Sequence, residues 1–374
     1  MNREERLRNT IAGVATDKTP YAFWTHFPEI DTVPEKIAEK TIRFYENYRF
    51  DFVKTMNNGF YTAEAFGCSI DSSDVLTGGV AKITDSPVKS VNDLFNLGTF
   101  SFDETVSIRE LYHLNLVLSG LKKSCQFDDG GVPPVLFTTF TPLTTLDKIC
   151  GTRTIYIDDD GVEHDEEKVV QGSVKIEKFK KEKKSRLIEY MEQGENAAAI
   201  HCALNAISLW TESLVEKAID EGAAGIFLAS QMSSYNKCTY EQYMEFGKTY
   251  DQRVLKAAAK GWMNTIHCHG DRIMFDILRD YDVQIFNWHA WETLPEIDEA
   301  YAFTKKCLMG GISRSDITFG NKEALQNQIY HSIKIMGGKH LILTPGCVIR
   351  YPLNETAMRF VNCIRNEVDL MVRT

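Results

Sequence analysis

No run of about 18 apolar residues, the length a membrane-spanning helix needs, occurs anywhere in the 374-residue chain. The opening "MNREERLRNTIAG" is charged and lacks the apolar stretch of a secretory signal. Both lacks lead to the expectation of a cytoplasmic protein with no membrane partner. Basic charge is short as well: 42 Lys and Arg stand against 52 Asp and Glu, a formal net charge of −10. That balance excludes nucleic acid or an anionic membrane as the main partner. There is no C-x-x-C pair. The nine cysteines, Cys68, Cys125, Cys150, Cys202, Cys238, Cys268, Cys307, Cys347 and Cys363, are odd in number and scattered, which suits reduced thiols, mostly buried fillers, better than a disulfide framework. A phosphate loop is lacking too, because "EFGKTYD" offers Gly247-Lys248-Thr249 without the upstream glycine. Neither an internal repeat nor a low-complexity linker is present.

What is there is an ordinary globular composition, 43% hydrophobic and 25% charged, in a chain long enough to bury a large core. Eight short apolar segments recur: "PYAFWTHF" (20–27), "FVKTMNNGF" (52–60), "PVLFTTFTPL" (134–143), "AAGIFLASQ" (223–231), "WMNTIHCHG" (262–270), "VQIFNWH" (283–289), "KCLMGGI" (306–312) and "HLILTPGC" (340–347). Helical patterns separate them, including "VPEKIAEKTIRFYENYRF", "SIRELYHLNLVLSGL", "NAISLWTESLVEKAIDEG", "DRIMFDILRDY" and "KEALQNQIYHSIKIMGG". Strand and helix in alternation imply parallel pairing with right-handed crossovers. Eight such units predict an α/β fold, a (β/α)8 TIM barrel forming one domain over residues 1–374. The second and third βα connections, 61–133 and 144–222, are longer than a crossover needs. Within the latter, 153–187 switches from acidic to basic and reads as a charged surface insertion with a hairpin turn at Asp160-Gly161.

In such barrels the C-terminal strand ends carry the active site. Here they are polar: His26, Asn57, Asn58, Thr139, Thr141, Gln231, His267, His269, Asn287, His289, Arg314 and Cys347. Side chains alternate along a strand, so His267 and His269 in "TIHCHGD" share one face while Cys268 takes the other. Imidazoles at i and i+2 can ligate one zinc ion. Cys347 in "TPGC" and His289 in "NWHAW" are the two candidates for a third ligand, and Asp271 is a candidate to orient an imidazole from behind. The alternative is a metal-free polar pocket in which the histidines act as acid, base or anchor. The glycine pair in "MGGIS" (309–313) reads either as an anion cradle of backbone N–H groups or as a tight turn. Trp288 and Trp291 read as an aromatic wall, and His26 and Gln231 as rim residues.

The opening "RLRNTIAGVATDKTPYAFW", the strand rhythm, "HCHGD", "MGGI" and "TPGCVIRYPLNETAMRFV" together resemble the uroporphyrinogen decarboxylase superfamily, over nearly the whole chain except 153–187. That superfamily holds porphyrinogen decarboxylases and zinc-dependent methyltransferases that move methyl groups between a corrinoid and a thiol such as coenzyme M. Family decarboxylases carry an arginine-rich stretch after the first strand, whereas this chain has "WTHFPEID" there, with Glu29 and Asp31 expected to repel an anionic substrate. The methyltransferase branch has H-x-C on the fifth strand and a later cysteine in "PGC". By that match the resemblance implies a zinc site of His267, His269 and Cys347, with His269 standing where the family has cysteine. A neutral imidazole for a thiolate makes the site less electron-rich.

The resemblance therefore implies zinc-dependent methyl or alkyl transfer involving a thiol or a corrinoid-bound methyl group, with His267, His269 and His289 as catalytic residues. Substrate-binding candidates are His26, Asn57, Tyr61, Gln231, Tyr235, Asn287 and Arg314, with Tyr61 and Tyr235 lining the mouth. Zinc is the expected cofactor. The expected partners are a small-molecule thiol or methyl donor and a corrinoid protein, with a homodimer if the second connection exposes an apolar patch. Two alternatives stand: a decarboxylase-type lyase of porphyrin biosynthesis, and a non-catalytic tetrapyrrole- or corrinoid-binding barrel.

Overall fold

The computed structural model describes residues 1–27, 30–73, 81–97, 104–158, 162–165 and 179–373. In chain order the strands are β1 (Val53–Lys54), β2 (Ser69–Asp71), β3 (Lys82–Asp85), β4 (Val135–Phe140), β5 (Thr152–Asp158), β6 (Glu163–Asp165), β7 (Phe179–Ser185), β8 (Gly225–Ser230), β9 (Thr265–Cys268), β10 (Ile285–Trp288), β11 (Cys307–Ile312) and β12 (Leu341–Pro345). Seven of them pair in parallel in the order β1-β4-β8-β9-β10-β11-β12, one curled sheet in which β4 and β8 to β12 are buried along their whole length. Burial on both faces is why these segments read as continuous apolar runs. No helix among the described residues is long and apolar enough to cross a membrane.

Seven of the eight expected segments are thus strands of one sheet. The first, 20–27, departs from regular pairing. It touches β12 through an isolated parallel bridge of Tyr21 with Leu343 and the chain beyond β12 through one of Thr25 with Ile349, while the Asp51 N–H beside β1 donates to Tyr21 O at 2.9 Å. Pro20 has no N–H to give a ladder, and the Thr25 hydroxyl donates to Ile349 O at 2.8 Å, side chain reinforcing sparse backbone pairing. The segment nevertheless spans the two edges of the sheet.

The connecting helices follow their apolar periodicity. Pro34–Tyr48 begins on its proline, and Lys322–Met336 ends on Gly337 in the left-handed region, whose N–H bonds Ile333 O and Lys334 O. Ala197–Asp220 starts earlier than expected because an alanine run extends it. The pattern at 271–281 forms a helix only over Phe275–Leu278, since Arg272 takes φ +48° and its carbonyl accepts from the Tyr235 N–H at 3.0 Å. In the second connection β2 and β3 form an antiparallel hairpin before the helix Glu104–Ser124. In the third, β6-β5-β7 is an antiparallel sheet, tied down by the Arg153–Glu189 pair at 2.5 Å. The Asp160-Gly161 turn lies outside the described residues.

Gly225 opens β8 where the chain at Met263 and Asn264 passes. A Cβ there would sit 2.5 Å from Met263 C and 2.7 Å from Asn264 N, both backbone atoms. Gly225→Ala is therefore expected to destabilise the fold by about 1–3 kcal/mol, the usual overpacking range. Urea unfolding measures this, and an unchanged midpoint would contradict the packing described.

Candidate metal centre

Parallel register builds the site. His267 on β9 lies beside Asn287 on β10, and Asn287 beside Met309 on β11, so the first two side chains point the same way from neighbouring strands. The Asn287 amide donates from Nδ2 to Met309 O at 2.7 Å, which turns its Oδ1 toward His267 Nδ1 at 2.5 Å. A carbonyl oxygen only accepts, so Nδ1 carries the proton and Nε2 keeps its lone pair. That lone pair faces Cys347 Sγ, 3.7 Å away. His269, two residues on, points to the same sulfur through Nδ1 at 3.9 Å. Cys268 faces the opposite side, fully buried.

His289, just past the end of β10, completes the group: one donor atom from each of His267, His269, His289 and Cys347 lies within 4.8 Å of every other. The His269 and His289 ring centroids are 4.6 Å apart and the two planes are nearly perpendicular. Phe227 of β8 stacks on His267 at 5.2 Å and Trp24 packs on Phe227 at 5.5 Å, closing the floor with apolar rings. Gly346 permits the approach of Cys347, because a Cβ there would stand 2.5 Å from His289 Cα and 2.6 Å from Trp288 O.

The donor set fits zinc. Tetrahedral zinc with bonds of about 2.0–2.3 Å sets its donors about 3.3–3.8 Å apart, and the sulfur-to-nitrogen separations of 3.7 and 3.9 Å need only slight contraction. His289 Nε2 is buried without a hydrogen-bond partner, a costly vacancy for a polar atom unless a ligand meets it. Protons do not compete at neutral pH. Burial, then the neighbouring His289 and His269, holds His267 well below the usual histidine range. Burial and Arg314 bring His269 down to about 4, and burial and His269 bring His289 down to about 3. Burial pushes the Cys347 thiol up, with Arg314 and Lys54 pulling against it.

The other expected residues divide. Arg314 is tied to Glu292 at 3.1 Å, and Glu292 lies 3.7 Å from His289 Nδ1, so it stands at the cluster's edge. Asn287 orients His267 with both ends of its amide engaged. Gln231 and His26 are half-buried at the rim. Tyr235 donates to Asp276 at 2.5 Å at the surface. Tyr61 does not line the mouth: it is fully buried, and its hydroxyl donates to Thr138 O at 2.9 Å. Asn57 donates to the buried Glu110 at 2.5 Å. Asp271 is exposed and makes no hydrogen bond to the imidazoles through its carboxylate. The glycine pair is neither cradle nor turn but part of β11, where Gly311 O accepts from Trp291 Nε1 at 3.0 Å. Asp31 is buried, its carboxyl pushed up by burial and bonded by Asn58 at 3.3 Å, which mutes the repulsion expected of it. Glu29 lies outside the described residues. Two residues that sequence reasoning passed over, Lys54 and Lys148, act electrostatically on His267 and His269 respectively, and burial brings the two lysines down to about 8 and about 7. The only signal was a lysine inside each of two apolar stretches, "FVKTM" and "LDKIC".

A curled parallel sheet with histidines and a cysteine converging at its C-terminal strand ends defines an α/β enzyme. The chain belongs to the uroporphyrinogen decarboxylase (URO-D) family, whose model matches residues 177–367. None of the curated proteins compared with the chain matches it. Among solved structures, a methyltransferase from Methanosarcina mazei superposes with a TM-score of 0.73 at 14% identity, covering 98% of this chain and 99% of that one. A B12-independent methionine synthase from Shewanella sp. W3-18-1, solved in complex with selenomethionine, superposes at 0.51 and 11% identity, covering 95% and 96%. At these identities the likeness establishes the fold.

Two outcomes are expected. Asn287→Ala frees the His267 tautomer and should weaken zinc affinity about 10–100-fold, the usual effect of removing a partner behind a ligand. Competition with a fluorescent chelator measures it, and wild-type affinity would show that the amide does not set the tautomer. Separately, the imidazoles have lower pKa values folded than the roughly 6.5 of an unfolded chain, so the unfolded state binds more protons between about pH 6.5 and 4. Stability of the metal-free protein is then full above that range and lost as pH falls through it. Denaturant midpoints at pH 7.5 and 5 should fall in that order; a higher midpoint at pH 5 would contradict it.

Proposed function

We propose that this chain is a zinc-dependent methyl or alkyl transferase whose acceptor is a thiol and whose donor is a methyl-corrinoid or a small methylated molecule. The eight segments, with 20–27 as the irregular member, would close one (β/α)8 barrel over residues 1–374, the antiparallel sheet around 153–187 being a surface insertion. The observation that carries the reading is the convergence of His267, His269, His289 and Cys347 with the His267 lone pair turned toward the sulfur. His267, His269 and Cys347 would hold the ion. Zinc, when bound, supplies Lewis acidity that favours a thiolate over a thiol at neutral pH.

The chain's own residues supply the rest. Asn287 keeps His267 in the ligating tautomer. His289 is too weakly basic to take a proton near neutrality, so it would offer the ion a neutral nitrogen. Glu292, 3.7 Å from its Nδ1, steadies the ring. Phe227 and Trp24 exclude water from the floor, which favours a reactive, poorly solvated sulfur nucleophile. In the transfer the sulfur lone pair forms the new S–C bond, the pair of the old bond departs with the donor, and the thiol proton goes to solvent. Unpaired thiols throughout the described residues accord with a cytoplasmic setting.

Protein purified without chelator should carry about one zinc per chain, lose it to a strong chelator and regain it on addition of zinc. Cys347→Ala and His267→Ala should each reduce that content, and methyl transfer to a thiol should follow the metal. A chain that neither contains nor takes up zinc, or that releases carbon dioxide from uroporphyrinogen instead, would overturn the proposal.

A further inference from the structure

At the opposite end of the sheet from the ligand cluster, where the strands begin, lies a cavity of about 180 Å³. Five cationic side chains line it, Arg3, Arg6, Lys18, Arg49 and Arg365, with a single carboxylate, Asp51. Asp51 precedes β1, Lys18 precedes the segment 20–27, and Arg365 comes from the helix Glu355–Arg373, so the lining joins the two ends of the chain. Three carboxylates pair with these cations. Asp51 meets Arg6 at 2.5 Å and Arg365 at 3.9 Å, Asp17 meets Arg6 at 2.7 Å, and Asp128 meets Arg3 at 3.0 Å and Arg49 at 3.5 Å. Asp369, one turn beyond Arg365, is taken by the Thr19 N–H at 2.8 Å and its hydroxyl at 2.6 Å. Positive charge is therefore in surplus around this cavity, in a chain whose formal charge is −10.

The surplus falls on Arg365 and Lys18. Arg365 is 2% exposed, its guanidinium lies over the Tyr21 ring at 4.4 Å, and its Nη atoms donate only to neutral oxygens of Thr19, Asn362 and Asn366. Its Nε–H is buried without a hydrogen-bond partner, a cost that a ligand oxygen would remove. Lys18 is half-buried, and its ammonium joins no ion pair among the described residues. Burial lowers it below the usual lysine range; Asp51 pulls it back, while Arg365 and Arg6 push it further down. The cavity far exceeds the roughly 10–15 Å³ that admits one water, and cations reach it from both terminal helices, from the loop before 20–27 and from the end of Pro34–Tyr48. A tetrahedral dianion accepts from several directions at once and offsets two charges, which a planar carboxylate with one charge does not. We propose that this cavity binds a phosphate dianion, free or as the end group of a small phosphomonoester, and that the bound anion ties the segment 20–27 to the first and last helices. The site stands independently of the function proposed above.

Calorimetric titration of the metal-free full chain with inorganic phosphate, methyl phosphate and acetate, at pH 7.5 and constant ionic strength, tests the site. Wild type should bind inorganic phosphate or methyl phosphate about tenfold or more tightly than acetate, and the tighter ligand should raise the Tm. Methyl phosphate binding as well as inorganic phosphate assigns a monoester end group; inorganic phosphate binding better assigns the free ion. Lys18→Gln and Arg49→Gln change the two outermost cations, where folding is least at stake, and each should weaken phosphate about tenfold. Lys148→Gln, at the other end of the sheet, should leave phosphate affinity as it is. Phosphate bound no better than acetate by wild type, or an affinity that survives both Lys18→Gln and Arg49→Gln, overturns the proposal. Loss of phosphate binding in Lys148→Gln alone would place the anion elsewhere and sink it equally.

Discussion

The amide of Asn287 is the interaction on which the site depends. Its nitrogen is committed to Met309 O on one neighbouring strand, so its oxygen has one direction left, toward His267 on the other. Nothing in an isolated imidazole prefers one tautomer strongly enough to guarantee a free Nε2. Here the sheet decides it, and in a buried, weakly polarisable setting the decision is firm. Without that bond His267 could present an N–H to the sulfur, and the three imidazoles and the thiol would be a polar cluster with no common vertex. With it, lone pairs and sulfur face one small volume.

Backbone economy makes the volume small. Cys347 follows β12, which is separated from β10 by β11, yet its sulfur meets side chains of β9. The chain can reach across only by pressing its backbone on the end of β10, and Gly346 is the residue that lacks the atom in the way. Gly310 plays a milder part, since a Cβ there would be 3.3 Å from Ala290 Cβ. "PGC" and "MGGI" are therefore two solutions to one steric problem around His289.

This explains which features were legible. Strand positions and most helices follow from periodicity because β4 and β8 to β12 are buried on both faces and the helices on one. The i, i+2 spacing of His267 and His269 placed both on one face whatever the rest of the fold did. Cys347 and His289 were visible as strand-end residues with the right chemistry. The role of Asn287 was not, because it rests on the lateral register of parallel strands, which no local pattern encodes. Tyr61 misled for a related reason: a tyrosine after a strand looks like a mouth residue, but Thr138 O offers its hydroxyl an internal acceptor. The segment 271–281 has helical periodicity, and the loop contact of Arg272 with Tyr235 overrides its first turn.

Charge at the site runs against charge over the whole. The chain carries a formal −10, but the cations that act on the four ligand residues are Lys54, Lys148, Lys237 and Arg314, opposed mainly by Glu292 and Asp271. Three neutral imidazoles add no negative charge to offset a divalent ion. A positive surround favours a thiolate, but burial outweighs it at Cys347, whose thiol stays raised although Arg314 and Lys54 pull against the burial. Burial rather than local charge sets the protonation of all four residues, since it is the largest cause at each of them.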